Sequence, residues 1–205
     1  MNRNRTKEKT LLLSLIFLLL LLPIDAIVAS EKSWTADFKT TVLSSNGRKM
    51  VFTGKFYQNG LKVRFEPTGS GEIDLFDFER ASGIRLFQED RIYFQNRLTS
   101  ARLLKAAREG WIPAPPAHPE KRIFLREGVV KEKEARLYLI VMGEKNQRSH
   151  SLRWVTADAA ALPLQVIYPA SGYETVIVEY DDLRVEPVGQ ERFDPPADFL
   201  NLNPY

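Results

Sequence analysis

The sequence predicts a mainly β protein, built from about eleven antiparallel strands and one clear helix. Apolar and polar residues alternate with a period of two over most of residues 35–185. Gly, Pro, Ser and Asn end these alternating runs at short intervals, as turns between strands do. The period changes only once, to a helical spacing, within residues 98–111. These three observations are typical of an antiparallel meander that is interrupted by one helix.

Residues 1–30 are expected to be a signal peptide rather than part of the fold. Four basic residues among the first nine precede an apolar run, Leu11–Leu22. Small residues follow, and Val28 and Ser30 suit the positions before a cleavage site at Glu31. An uncleaved membrane anchor is the alternative, although the run is shorter than the roughly 20 residues that span a bilayer. Since the chain has no Cys, it carries no lipoprotein acylation site after the run.

The expected mature chain, residues 31–205, has the length of a single domain. The leader takes four basic and two acidic residues from totals of 29 and 26, which leaves a net charge near +1. This balance gives no support to nucleic-acid binding. The absence of Cys excludes disulfides, thiolate metal sites and a Cys nucleophile.

The first half of the mature chain predicts six strands. Residues 35–44 and 49–58 alternate over their whole length, and Ser45-Asn46-Gly47 separates them. Asn59-Gly60 then predicts a type I′ hairpin turn, because both residues tolerate positive φ. The strand after this turn has Leu61, Val63 and Phe65 on one face and Lys62, Arg64 and Glu66 on the other. Three shorter strands follow at 73–78, 84–88 and 91–94.

The helix is predicted at about Ser100–Glu109, with Leu103 and Leu104 facing the sheet. Four prolines in residues 112–119 exclude both a helix and a central strand, so this stretch predicts an extended loop. Strands resume at 122–130 and 134–142. The second of these is apolar on both faces, which predicts a place near the middle of the sheet. The last strands are predicted at 151–156, 165–168 and 173–185.

The order of motifs in residues 151–199 resembles the LolA/LolB-like superfamily of periplasmic lipoprotein carriers and their relatives. The motifs are a Trp strand, a Leu-Pro pair before the next strand, a Tyr-x-Thr strand ending in Tyr-x-x-Leu, and Phe-x-Pro-Pro. They fall here at Trp154, Leu162-Pro163, Tyr173 to Leu183, and Phe193 to Pro196. A weaker resemblance covers the hairpin at 49–66. The resemblance implies an antiparallel half-open β-barrel, with residues 98–119 as a helix and loop lid over its concave face.

The same resemblance, together with the aromatic residues on predicted strands, suggests a ligand-binding face. Its candidate residues are Phe52, Phe56, Arg64, Phe65, Phe76, Leu103, Leu104 and Trp154. Arg64 matches loosely an Arg that in the carriers helps hold the lid closed, although Glu66 offers it a surface partner. For any single ring, an ordinary core position is the alternative. Taken together, however, these candidate residues favour a ligand site. A curved sheet with one helix would not fill its own concave face and would leave an apolar concavity for a ligand.

Catalytic and metal-binding motifs are not apparent. His118 and His150 have no neighbouring residue at the spacing of a zinc-binding motif. Asp77 and Glu79 share a strand face, as a pair of catalytic carboxylates would, but acidic residues at strand ends are usually solvated instead. We therefore expect no enzyme activity, no cofactor and no metal site. The expected function is a periplasmic, monomeric carrier or binding module for a lipid or lipoprotein acyl chain, with membrane proteins of the envelope as further partners. The alternative is a structural or sensory envelope protein that uses the same fold without a lipid.

Overall fold

The structure is a computed structural model that describes residues 33–44, 46–98, 120–142, 149–169 and 174–203. These residues form a twelve-stranded sheet and one short 3-10 helix, Gln190–Phe193. The strands are β1 Ser33–Ser44, β2 Lys49–Asn59, β3 Lys62–Pro67, β4 Glu72–Asp77, β5 Ser82–Phe87, β6 Ile92–Arg97, β7 Glu120–Val130, β8 Lys133–Met142, β9 Ser149–Thr156, β10 Pro163–Pro169, β11 Glu174–Val185 and β12 Leu200–Asn201. The predicted mainly β class is confirmed.

Two meanders make up the sheet, whose order is β12-β6-β5-β4-β3-β2-β1-β11-β10-β9-β8-β7. The first runs from β1 to β6 and the second from β7 to β11, and they join where β1 pairs with β11. All pairs are antiparallel except the short parallel pair of β12 with β6. Because β7 and β12 lie at opposite ends of this order, the sheet is open, and the predicted half-open barrel is confirmed.

The face that carries the larger core, called the inner face, bears Ala36, Phe38, Phe56, Phe65 and Tyr180. The ring centroids of Phe56 and Tyr180 are 5.6 Å apart, although β1 lies between their strands. Strands separated by one neighbour are roughly 9–10 Å apart, so these rings lean towards each other. Convergence of this kind is expected on the concave side of a curved sheet.

A second, smaller core lies on the opposite, outer face of β4 and β5. Ile73, Leu75 and Leu86 are buried there, and Phe199 packs against them. Phe199 belongs to the C-terminal strap, defined here as residues 186–203. The strap is fixed along its length by Asn59 Nδ2 donating to the Val188 carbonyl at 2.7 Å and by the Leu200 amide donating to the Arg91 carbonyl at 2.9 Å.

Two details differ from the sequence-based expectations. The strand at 134–142 is second from an edge rather than near the middle, since among the described strands only β7 lies beyond β8. It is apolar on both faces because Ile140 joins the inner core while Leu137 lies opposite Trp154 on the outer face. The twelfth strand was not predicted, because two residues are too short for a periodic pattern.

The predicted signal peptide, residues 1–30, lies outside the described residues. The same holds for the predicted helix Ser100–Glu109 and for the proline-rich loop at 112–119. In the ranges that the structure does describe, no helix has the length and apolar character needed to cross a membrane.

Candidate functional site: the inner face of the sheet

Four of the predicted ligand-binding residues, Phe52, Phe56, Phe65 and Phe76, lie on the inner face. Phe56 stands opposite Phe65 across β2 and β3, and Phe76 stands opposite Val63 across β3 and β4. Phe56 is only 1% exposed and Phe65 is also buried, whereas Phe76 is half-buried and Phe52 is 46% exposed. The deeper rings therefore form the floor of the face, and Phe52 remains accessible to a ligand.

The floor is a continuous aromatic cluster. The ring centroid of Phe56 is 4.5 Å from that of Trp34 and 5.0 Å from that of Phe65, while Phe65 lies 5.5 Å from Phe38. Phe65 meets both Phe56 and Phe38 edge to face, an arrangement that contributes beyond simple burial. Gly54 provides space for this packing, because a side chain at that position would overlap the Phe38 ring.

Apolar side chains on the same face continue beyond the buried floor. Met50 lies two residues before Phe52 and is also exposed, and Phe124 is exposed on the opposite flank of the sheet. The Phe124 ring meets the Tyr138 ring at 5.8 Å, across β7 and β8. The inner face thus combines a buried apolar floor with accessible apolar flanks, as ligand-binding concavities commonly do.

Polar groups also lie on this face. Arg153 stands opposite Val166 and Tyr138, which places its side chain on the inner side of β9. Ser151 is buried beside it, and its Oγ has no hydrogen-bond partner within the described part of the chain. Burial raises the pKa of the Tyr180 hydroxyl, the nearby Tyr168 raises it further, and the positive charge of Arg153 opposes both effects. Arg153 thus places a positive charge on the same face as the buried aromatic floor.

Arg64 and Trp154, in contrast, lie on the outer face. The Arg64 guanidinium pairs with Glu66, and its Nη1 donates to the Arg192 carbonyl of the C-terminal strap at 2.7 Å. Trp154 packs against Gly128, with the Arg126 guanidinium 5.3 Å from the ring centroid. Leu103 and Leu104 are outside the described residues. The predicted set is thus divided between two faces, and the structure places Arg153 rather than Arg64 on the side of the aromatic rings.

The alternation of residues in β9 could have identified Arg153. Leu152 and Trp154 point to one side of the strand and Ser151 and Arg153 to the other, so a period of two separates Arg153 from Trp154. Which of the two sides is the inner one depends on the apolar residues of the neighbouring strands, and those neighbours are known only from the folded structure.

Of the two acidic residues considered for catalysis, Asp77 has partners and Glu79 is exposed. The Asp77 carboxylate accepts from the Arg80 amide at 2.9 Å and lies near the Lys62 and Arg80 side chains. Asp74, on the inner face, receives two hydrogen bonds from Arg85, at 2.8 and 3.0 Å. His150 is exposed on β9, and His118 falls outside the described ranges. Over the residues with a described position, no three His, Cys, Asp or Glu side chains are grouped as metal ligands.

The buried Tyr180 predicts a loss of stability in alkaline solution. Its pKa is raised above the ordinary value of 10.0, so above about pH 10 the unfolded chain loses this proton while the folded chain keeps it. The free energy of unfolding should then fall by up to about 1.4 kcal/mol per pH unit from this residue alone. Urea unfolding at pH values from about 9 to 11 should show a shallower fall for Tyr180→Phe. If the free energy of unfolding fell equally steeply with pH for the wild type and for Tyr180→Phe, the Tyr180 hydroxyl would be solvated.

Neither a protein-family model nor a curated protein matches the sequence. Solved structures do resemble this chain. A LolA superfamily protein from Nitrosomonas europaea is 10% identical with a TM-score of 0.46, over 83% of this chain and 95% of that one. A DUF1329 family protein from Desulfovibrio piger is 12% identical with a TM-score of 0.48, over 82% and 92%. The Mycobacterium tuberculosis lipoprotein LppX is 12% identical with a TM-score of 0.41, over 81% and 92%. Likeness at identities of 10–12% concerns fold rather than activity.

Proposed function

We propose that the protein is a non-enzymatic carrier or binding module that holds an acyl chain or another hydrophobic ligand on the inner face of its sheet. One observation carries the proposal, namely that the buried aromatic floor continues into accessible apolar side chains at Met50, Phe52 and Phe124. An apolar concavity of this kind, with a few polar groups such as Arg153 and Ser151, is the usual form of a hydrophobic ligand site.

The affinity for a ligand would depend mainly on the apolar area that it buries on the inner face rather than on specific contacts. Each Å² of apolar surface removed from water contributes about 25 cal/mol, so an alkyl chain along the face would gain affinity in proportion to its length. The floor itself needs no rearrangement, because its rings already pack against one another in the folded chain. Affinity should therefore increase with chain length until the ligand extends beyond Phe52.

The leader-like composition of residues 1–30 supports export, so the proposed setting is the periplasm. In that compartment the module would take part in outer-membrane lipoprotein sorting or in maintenance of the cell envelope. An acyl chain of a lipoprotein is the ligand class that fits both the apolar face and this setting.

The test is to identify what the purified protein contains and binds. Native mass spectrometry with organic extraction should detect a bound lipid, and a fluorescent fatty acid should bind to protein from which that lipid has been removed. Phe52→Asp should weaken fatty-acid binding by about tenfold or more, since it places a charge on the accessible part of the face. Val51→Asp is the matched control, because Val51 is the neighbouring residue of the same strand, is 47% exposed and points to the outer face.

Protein that is repeatedly free of lipid and does not bind the fatty acid would contradict the proposal. The second candidate, an envelope interaction protein, is supported by β7, whose outer edge pairs with no other strand in the described part of the chain. Such an edge can accept a strand from another protein. Ligand-free protein that co-purifies with an envelope protein would favour this second function.

A further inference from the structure

The hairpin between β1 and β2 ends in a group of exposed apolar side chains. Leu43, Met50, Val51 and Phe52 are 38%, 48%, 47% and 46% exposed, respectively. We call these residues, together with Arg48 and Lys49, the hairpin tip. Single exposed apolar residues are common on protein surfaces, but a contiguous group of this kind usually marks an interaction site.

The tip extends past its neighbour on one side. β3 ends at Pro67 opposite Gly54, and the Thr68 amide that follows still donates to the Thr53 carbonyl at 2.8 Å. Within the described part of the chain, residues 49–52 of β2 therefore pair with β1 only. Four strand residues span about 13 Å, which is the distance by which the hairpin extends past this contact. The register places Leu43 and Val51 on the outer face and Met50 and Phe52 on the inner face. Apolar groups therefore project from both sides of the tip.

Positive charge accompanies these apolar groups. Arg48 and Lys49 lie in the tip, and Lys121 is the second residue of β7, at the same end of the sheet. Within the described ranges, none of these three cations forms an ion pair, whereas Lys55 and Lys131, nearer the other end, pair with Asp37 and Asp181. The acidic residues that start described strands at this end are Glu120 of β7, Glu174 of β11 and Glu72 of β4, of which Glu72 pairs with Arg85.

We propose that the hairpin tip docks on an anionic lipid surface. Its apolar side chains would enter the headgroup region of the bilayer, and Arg48, Lys49 and Lys121 would lie near lipid phosphates. A groove or strand of a protein would cover one side of the hairpin, but a bilayer interface surrounds both. The unpaired cations further favour an anionic lipid over a purely apolar partner.

Docking would connect the membrane with the proposed ligand site. Met50 and Phe52 belong both to the tip and to the inner face, so a docked tip would bring the accessible end of that face to the bilayer. An acyl chain could then move between the two without crossing open water. The docking itself does not require a bound ligand, so it can be tested on protein without lipid.

Co-sedimentation with vesicles tests the docking. The full mature chain should bind phosphatidylcholine vesicles that contain about one third phosphatidylglycerol, and should bind pure phosphatidylcholine vesicles much more weakly. Arg48→Gln with Lys49→Gln should lower binding to the anionic vesicles by about tenfold. Leu43→Ser with Val51→Ser should lower it by a similar factor, because less apolar surface leaves water. Val129→Ser with Val185→Ser is the matched control, since both valines are highly exposed at the other end of the sheet.

Three results would overturn the docking proposal: no binding of the wild type to anionic vesicles, no loss in the two tip variants, or an equal loss in the control. A wild type that is dimeric by light scattering, and that Leu43→Ser with Val51→Ser makes monomeric, would assign the tip to a second copy of the chain and would also overturn it. Leu43 and Val51 lie on the outer face. Fatty-acid binding by that variant therefore reports on the ligand site separately from docking.

Discussion

Phe56→Ala is expected to lower the free energy of unfolding by about 3–5 kcal/mol, which is a large part of the stability of a domain of this size. Phe56 is 1% exposed, and its ring contacts the rings of Trp34, Phe65 and Tyr180. Truncation removes the apolar area of the ring and leaves a cavity whose three aromatic walls belong to different strands. Urea denaturation followed by tryptophan fluorescence measures the change.

Phe52→Ala is the matched control for that variant. It lies on the same strand and the same face, four residues earlier, but its ring is 46% exposed. We expect its unfolding free energy to stay within about 1 kcal/mol of the wild type, while binding of a hydrophobic ligand weakens. Equal destabilisation by the two substitutions would show that the inner face is covered as far as Phe52, and would remove the accessible part of the proposed site.

Gly54→Val should destabilise the protein by about 3 kcal/mol, although valine is favoured in strands. A Cβ atom at this position would overlap the carbonyl oxygen of Glu66 and the ring of Phe38. The backbone of β3 cannot move away without breaking its pairs with β2, and the Phe38 ring is fixed by Phe65. The loss should appear as a lower denaturation midpoint in urea with an unchanged dependence on urea concentration.

Thr53→Val is the control that separates the steric overlap of a new side chain with β3 from the general preference of valine for β-strands. Thr53 precedes Gly54, points to the opposite face and is exposed, so the same new side chain meets no backbone there. This variant should be as stable as the wild type to within about 0.5 kcal/mol. Should Gly54→Val prove as stable as Thr53→Val, the close packing of β2 on β3 would be incorrect.

The strands were largely predictable from sequence, because their signals are local. Alternation over 35–44 and 49–58 corresponds to β1 and β2, and a turn does lie between β2 and β3. The predicted type I′ turn at Asn59-Gly60 is wrong, because Asn59 pairs with Lys62 and Gly60 has positive φ while Asn59 does not. The place of each strand in the sheet was harder to predict. The apolar strand at 134–142 was expected near the middle, but it is β8, beside the edge, because chain order and not composition decides its neighbours.

The candidate site was predicted in part. Alternation alone sets Arg64 on the face opposite Phe65, but the resemblance to the carriers made it a ligand-site candidate. The true environment of Arg64 includes the Arg192 carbonyl, 128 positions away, and no local pattern predicts such a contact. Trp154 was assigned to the ligand face as an aromatic residue on a predicted strand, whereas Gly128 and Arg126 provide its packing on the outer face.

The pairing of β1 with β11 has a consequence for how the chain folds. Contacts at this seam join residues as distant as Thr35 and Glu186, which are 151 positions apart. β1 is made well before β11, the strand that satisfies its second edge, and pairings of such long range form slowly. During that time the exposed edge of β1 can pair with other chains. Truncation before β11 should therefore yield an aggregating chain rather than a smaller folded half.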